Sequence, residues 1–258
     1  MHRQDADATF SVHESPIQLT METISPLSLG TWLSIGSPVI AELAALSGFD
    51  WVLLDLEHGC TSEASIPDQL RALRGTLTKG IVRVSAPAPD QIARVLDWGA
   101  DGIMVPRVES AAAADSIVRF ACHAPLGRRG FSRTVRATDY GLRDHPDKPI
   151  IMVQIESLAG VGSAEAIAAV EGVDVLFVGP ADLRHDIEHN PLGESPGYEE
   201  CLDVVLAAAR SAGKEAGILV RDAADVAAHA DRGFTRIAVD SDLSILRKAY
   251  QTLLLTKS

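Results

Sequence analysis

The stretch "WVLLDLEHG" (residues 51–59) decides how the chain is read. Its apolar start reads as a buried strand. Asp55, Glu57 and His58 then crowd into the next positions, although burying unpaired charge is costly. Either the strand stops where the core stops and these groups face water, or they line a site. Seven other segments carry a similar apolar signal: "LSLGTWLS" (27–34), "GIVRVS" (80–85), "GIMVPRV" (102–108), "PIIMVQIE" (149–156), "VDVLFVGP" (173–180), "EAGILV" (215–220) and "RIAVDSD" (236–242). Helix-like segments separate them, such as "PVIAELAALSG" (38–48), which Gly48 ends, and "PDQIARVLDWGA" (89–100). Continuous rather than alternating apolar strands indicate parallel strands covered on both faces. An eightfold β/α alternation of this length fits an α/β fold of the single (β/α)8 TIM-barrel type. An open doubly wound sheet is second, since its GxGxxG turn is absent. Residues 1–24 read as an N-terminal tail or extension and 25–258 as the barrel domain.

Composition excludes several classes. The 258 residues are 47% hydrophobic and 22% charged, which is globular, with a formal net charge of −12. Such a chain does not neutralise nucleic-acid phosphates. Anionic small molecules stay open, because a local Arg or a metal reverses the field inside a cleft. Cys60, Cys122 and Cys201 are few, odd in number and far apart. They show no disulfide framework or CxxC metal pair, and a reducing cytoplasm is the expectation. No apolar run reaches the roughly 18–20 residues of a membrane span, and the polar N-terminus has no signal-peptide core.

A TIM barrel carries its site at the C-terminal ends of the strands. Asp55, Glu57, His58, Arg83, Glu156, Asp182, Asp240 and Asp242 all fall at or just past such ends. Each has a plain structural reading alone: Asp182, Asp222, Asp240 and Asp242 as caps or turn formers, Arg83 as a rim ion pair, His58 as a hydrogen-bonded histidine. Together they are harder to read that way, because "IIMVQIE" has no structural need for its final carboxylate. The segment "APLGRRGFSRTVRATDYGLRDHPDK" (124–148) reads as a long polar loop rich in Arg, either solvated or turned towards an anion.

The ordered set "DLEHG", "VRVSAPAPDQIARVLDWGADGIMVPRVESAAAA", "LGRRGFS", "RATDYG", "IMVQIES" and "VDVLFVGPADL" resembles the HpcH/HpaI aldolase family, from about Leu29 to about Tyr250. The resemblance implies a phosphoenolpyruvate/pyruvate-type barrel and a class II, metal-dependent pyruvate aldolase. Such an enzyme splits a 4-hydroxy-2-oxo acid, for example a 2-keto-3-deoxy sugar acid or a 4-hydroxy-2-oxo dicarboxylate, into pyruvate and an aldehyde through a metal-bound enolate. It further implies Glu156 and Asp182 as metal ligands. Two carboxylates form a hard, incomplete oxygen shell suited to Mg²⁺ or Mn²⁺, with Co²⁺ also admissible. By the same resemblance Arg83 neutralises the enolate and His58 is the acid/base. Asp55 orients or tunes His58, and Asp97 approaches a histidine from a neighbouring subunit of a homo-oligomer, a hexamer or another dimer-based assembly. Gly179, Pro180 and Ala181 bring backbone against the pyruvyl carboxylate, and Gln154 and Trp32 line the cavity.

One segment departs from the family pattern. After "GPADL" the chain continues "RHDIEHNPLG", with Arg184 where relatives carry Ser. The segment 184–190 is read as a charged loop at the site mouth. Alternative activities are a citrate lyase β or malyl-CoA lyase-like C–C cleavage and oxaloacetate decarboxylation. Outside catalysis stands a barrel that binds a 2-oxo acid without turnover. Lysine-based aldolase chemistry does not fit, because Lys79, Lys148 and Lys214 fall before strands, at the wrong end of a barrel.

Overall fold

The computed structural model describes residues 27–146, 148–190 and 196–255. The tail assigned to residues 1–24 lies outside the described residues. The strands are β1 (Ser28–Leu33), β2 (Trp51–Asp55), β3 (Lys79–Arg83), β4 (Gly102–Val105), β5 (Ile150–Ile155), β6 (Val175–Val178), β7 (Glu215–Val220) and β8 (Arg236–Ser241). Each pairs in parallel with the next, and β8 returns to β1, so the sheet is a closed barrel. Closure removes the open-sheet alternative. The covering helices are α1 (Pro38–Leu46), α2 (Ile66–Ala72), α3 (Pro89–Asp97), α4 (Ala111–Ala121), α5 (Leu158–Gly162), α6 (Ala164–Ala168), α7 (Pro180–Glu188), α8 (Tyr198–Ser211), α9 (Val226–Arg232) and α10 (Asp242–Leu254).

The continuous apolar strands divide by parity into two cores. Val52, Leu54, Val82, Ile103, Val153 and Leu176 face outwards and are buried under the helices. Trp51, Leu53, Ile81, Met104, Met152, Val175 and Phe177 face inwards and fill the barrel. Each such fully buried side chain contributes roughly 1.5–3 kcal/mol. The interior is crowded enough to require glycine at position 30, where a Cβ would come within 2.2 Å of the Trp51 ring. Helix starts follow local chemistry: Pro38, Pro89 and Pro180 open α1, α3 and α7, and the hydroxyls of Ser110 and Ser241 cap α4 and α10.

Seven of the observed strands are shorter than their apolar segments, and β7 coincides with its segment. Within the segment 51–59 the strand stops at Asp55, because the Asp55 carboxylate accepts the backbone N–H groups of Glu57 and His58 and turns the chain. The charged segment 184–190 corrects its sequence reading. Most of it is not a loop but the body of α7, which runs to Glu188. Leu183 is its one buried residue, so its apolar periodicity is weak.

Candidate active site

Period-two alternation carries the inward face past its apolar layer into a polar one. Beyond Trp51 and Leu53 on β2 comes Asp55; beyond Ile81 on β3 comes Arg83; beyond Met152 on β5 come Gln154 and then Glu156. All four are buried. Asp55 and Arg83 are register partners in the β2–β3 pair. The Arg83 Nε and Nη2 donate to the two Asp55 oxygens at 2.8 Å each, and Nη1 lies 2.9 Å from Glu57 Oε2. The guanidinium is also 5.1 Å from the Trp32 ring centroid, a cation–π contact. Burial pushes the Asp55 carboxyl up, but Arg83 and the two backbone donors outweigh it and hold the group below its ordinary value. Glu57 is driven the other way, because burial outweighs its attraction to Arg83 and His58.

Glu156 follows β5. Its Oε1 accepts the Arg107 N–H at 2.8 Å, and Arg107 adopts a left-handed backbone, φ 52°, unusual for a residue with a side chain. Gly179 is required beside it: a Cβ there would lie 2.4 Å from Glu156 Oε2. Burial, with the negative charges of Asp182 and Glu57, pushes the Glu156 carboxyl up to about 7 against the pull of the Arg107 N–H and Arg83. Asp182 sits exposed in the first turn of α7, where it shares a cavity of about 430 Å³ with Trp32, Asp55, His58, Arg83 and Gln154. Gly179, Pro180 and Ala181 line the same cavity. Gly179 caps α7 without a side-chain hydrogen bond, so the Ala181 and Asp182 amides lack helical acceptors.

His58 reaches the cavity from the turn after β2, and its side chain is 67% exposed. Its Nε2 lies 3.6 Å from Glu57 Oε1. Asp55 touches His58 through the backbone N–H, so the carboxylate beside the imidazole is Glu57. Asp97 does not join this group within the chain. It ends α3 and pairs with Arg129. Asp242 and Asp222 have backbone roles: Asp242 accepts the Ser34 and Ile35 N–H groups, and Asp222 accepts that of Ala224. The cavity also brings in Arg221, Leu219, Ser34, Ser241 and Leu243, which sequence reasoning did not single out as site residues. A larger cavity of about 500 Å³ opens among the strand starts at Lys79 and Ile150, away from these acids and bases.

This geometry can be set beside known proteins. The sequence profile of the HpcH/HpaI aldolase/citrate lyase family matches residues 28–249. The chain belongs to the HpcH/HpaI aldolase/citrate lyase family. A 5-keto-4-deoxy-D-glucarate aldolase from Klebsiella pneumoniae is 38% identical over 232 residues, 88% of this chain and 91% of the relative. The crystal structure of an HpcH/HpaI aldolase/citrate lyase family protein from Burkholderia cenocepacia superposes with a TM-score of 0.82 at 36% identity, over 90% of this chain and 95% of that one. An HpcH/HpaI aldolase from Desulfitobacterium hafniense gives 0.81 at 28% identity, over 90% and 93%.

Membership of the HpcH/HpaI family implies a divalent-metal-dependent mechanism. The residues present fit such an ion. Glu156, Asp182 and Glu57 repel one another electrostatically, and the Gln154 Oε1 is buried without a hydrogen-bond partner. A divalent cation would relieve the first strain, and a ligand atom in the cavity would meet the second. Among the described residues no group of three His, Cys, Asp or Glu side chains is arranged as a complete metal cage. Hard cations with open positions for substrate do not need one.

Proposed function

We propose that the protein is a carbon–carbon lyase of the class II aldolase type, splitting a 4-hydroxy-2-oxo acid into pyruvate and an aldehyde. The observation that carries this reading is the joint one. Asp182, a buried Arg83 and an exposed His58 converge on one cavity at the strand ends, with the buried Glu156 carboxyl near enough to interact with both Asp182 and Arg83, in a chain 38% identical to an aldolase. That relative's substrate, 5-keto-4-deoxy-D-glucarate, belongs to this compound class and is the first substrate to test.

Glu156 and Asp182 would hold the cation, which when bound supplies a Lewis acid for the 2-oxo group. The Ala181 and Asp182 amides, at the start of α7, receive the pyruvyl carboxylate. Arg83 faces the oxygen that gains charge as the C3–C4 bond breaks. Its pairs with Asp55 and Glu57 hold it there before the charge develops. His58 Nε2 takes the proton from the C4 hydroxyl, which becomes the aldehyde carbonyl. The bonding pair passes to C3 as the pyruvate enolate. His58 then returns the proton to C3, giving the pyruvate methyl group. Glu57 lies 3.6 Å from the imidazole Nε2, beside the atom that carries the proton between the two transfers.

We further infer a cytoplasmic protein acting on a small 2-oxo acid, with Mg²⁺ or Mn²⁺ as the ion. We infer a homo-oligomer in which Asp97, at the outer end of α3, reaches a neighbour's His58. No helix among the described residues is long and apolar enough to cross a membrane.

The test is pyruvate release, coupled to lactate dehydrogenase. 5-Keto-4-deoxy-D-glucarate, other 4-hydroxy-2-oxo acids and oxaloacetate are supplied with EDTA, then with Mg²⁺ or Mn²⁺ restored. Aldol cleavage that EDTA abolishes and metal restores is expected, and Glu156→Gln and Asp182→Asn should abolish it. Oxalate binding without turnover of any substrate would make the protein a 2-oxo-acid-binding barrel instead.

A further inference from the structure

We infer that Asp186 is a positioning residue for the cation site. Its carboxylate ties α7 to the chain just beyond β5, and so holds Asp182 and Glu156 at a set spacing before any cation arrives. Under the aldolase reading above, on which this rests, those two carboxylates hold the ion.

Little else fixes α7. A helix of nine residues is too short to be stable by itself. Leu183 is its one buried residue, and Ile187 packs against the core only in part. Polar contacts on two sides supply the rest. On one side Arg184 stacks 3.4 Å from the Tyr198 ring centroid and hydrogen-bonds the Tyr198 side chain, at the start of α8. On the other side Asp186 Oδ2 accepts the Leu158 N–H at 2.7 Å. Leu158 is the first residue of α5, so its N–H has no acceptor within that helix. Of the titratable side chains in the segment 184–189, Asp186 alone is half-buried, while Arg184, His185, Glu188 and His189 are exposed. In sequence nothing sets it apart from them.

The two ends of this bond stand close to the two carboxylates. Leu158 is two residues past Glu156. Asp186 is four residues past Asp182, one helical turn on and on the same face. At the other end of the same segments the Gly179 N–H donates to the Ile155 carbonyl at 3.2 Å. The segments 155–158 and 179–186 are thus tied at both ends, with Glu156 and Asp182 between the ties. The Gly179 tie is all backbone and forms whatever the side chains. The Asp186 tie exists only because residue 186 is an acceptor. Glu156 and Asp182 repel each other, so loosening either tie lets them separate. A cation must then draw α7 back, and its apparent affinity falls by the fraction of chains already in place.

The test is Mn²⁺ binding to the metal-free protein, measured by titration calorimetry at fixed pH with no substrate present. The wild-type protein should bind Mn²⁺, and Glu156→Gln should abolish it. Asp186→Ala should weaken binding by about tenfold, as for a lost charge-assisted hydrogen bond. Asp186→Asn keeps an acceptor for the Leu158 N–H and should stay within about threefold of the wild type. Leu158→Pro removes the donor and leaves the Asp186 charge in place. Proline is accepted at a first helical position, and Ser157 before it is already extended, at φ −142° and ψ 159°. This variant should also lose about tenfold, and the double variant no more than either single one, because both break the same bond. A purely structural tie would lower the stability of these variants in urea and leave the Mn²⁺ affinity of the folded protein unchanged. That result, or an Asn variant as weak as the Ala variant, overturns the inference and leaves the aldolase reading standing. If Leu158→Pro does not fold, the Ala and Asn variants decide alone. A wild-type protein with no Mn²⁺ site sensitive to Glu156→Gln overturns both.

Discussion

Asp55 gives one carboxylate to four donors: two from Arg83 and the backbone N–H groups of Glu57 and His58. It therefore fixes the guanidinium and the turn that carries the imidazole in one step. Asp55→Ala leaves a buried Arg83 short of its main partner and should cost about 3–5 kcal/mol in urea unfolding. His58→Ala removes a mostly exposed side chain, so stability should change by no more than about 0.5 kcal/mol. Its kcat should fall by about 10²–10⁴. Comparable unfolding losses in the two variants would contradict the division of labour between them. Glu156 gives a pH prediction. Its folded carboxyl titrates near about 7 and its ordinary value is 4.5, so between these the metal-free fold holds a proton that the unfolded chain has released. The stability this group contributes is complete below about pH 4.5 and is lost as pH rises through about 7. A cation held by Glu156 would have to displace that proton, so apparent metal affinity should weaken about tenfold per unit below about pH 7. Calorimetry should detect the released proton, and Glu156→Gln should lose both effects. Asp55, Arg83 and Glu156 were legible in the sequence because charge at the end of an apolar strand needs a reason. Glu57 as the partner of the imidazole was not, because beyond the strand the period-two rule no longer says where a side chain points.

Among the elements, the β6–α7 junction does most to shape the site. Gly179, Pro180 and Asp182 come from one short turn, and the glycine leaves room for a carboxylate from β5. Gly179→Ala would push a methyl group to 2.4 Å from Glu156 Oε2, while the Arg107 N–H pins Oε1. Overpacking of this kind costs about 1–3 kcal/mol. A lower melting temperature and a loss of metal affinity of at least about tenfold are expected, read by thermal unfolding with and without Mn²⁺. Unchanged metal affinity would remove Glu156 from the ligand set. The eight strands were legible because burial on both faces writes continuous apolar runs. The body of α7 was not: a helix with one buried residue looks, in sequence, like a charged loop.

For the whole molecule, the closed barrel explains why residues from β2, β3, β5, β6 and β7 meet in one cavity. It does not bring Asp97 to it: within one chain this carboxylate pairs with Arg129 on the outer side. If Asp97 serves a neighbour's His58, co-expressed His58→Ala and Asp97→Asn chains should form mixed oligomers with activity that neither parent shows. A monomer by light scattering, or inactive hybrids, would end that assignment. The barrel's seam also sets the order in which the site can come into being. Ser34 and Ile35, just past β1, give their N–H groups to Asp242, more than 200 positions later, and β1 pairs with β8. On the ribosome, the first wall of the cavity therefore stays open until the eighth strand has left the exit tunnel. A nascent chain can carry Asp55, Arg83, Glu156 and Asp182 well before barrel closure can bring them together. If Glu156 and Asp182 hold the ion, metal acquisition is thereby a post-synthetic event for this protein.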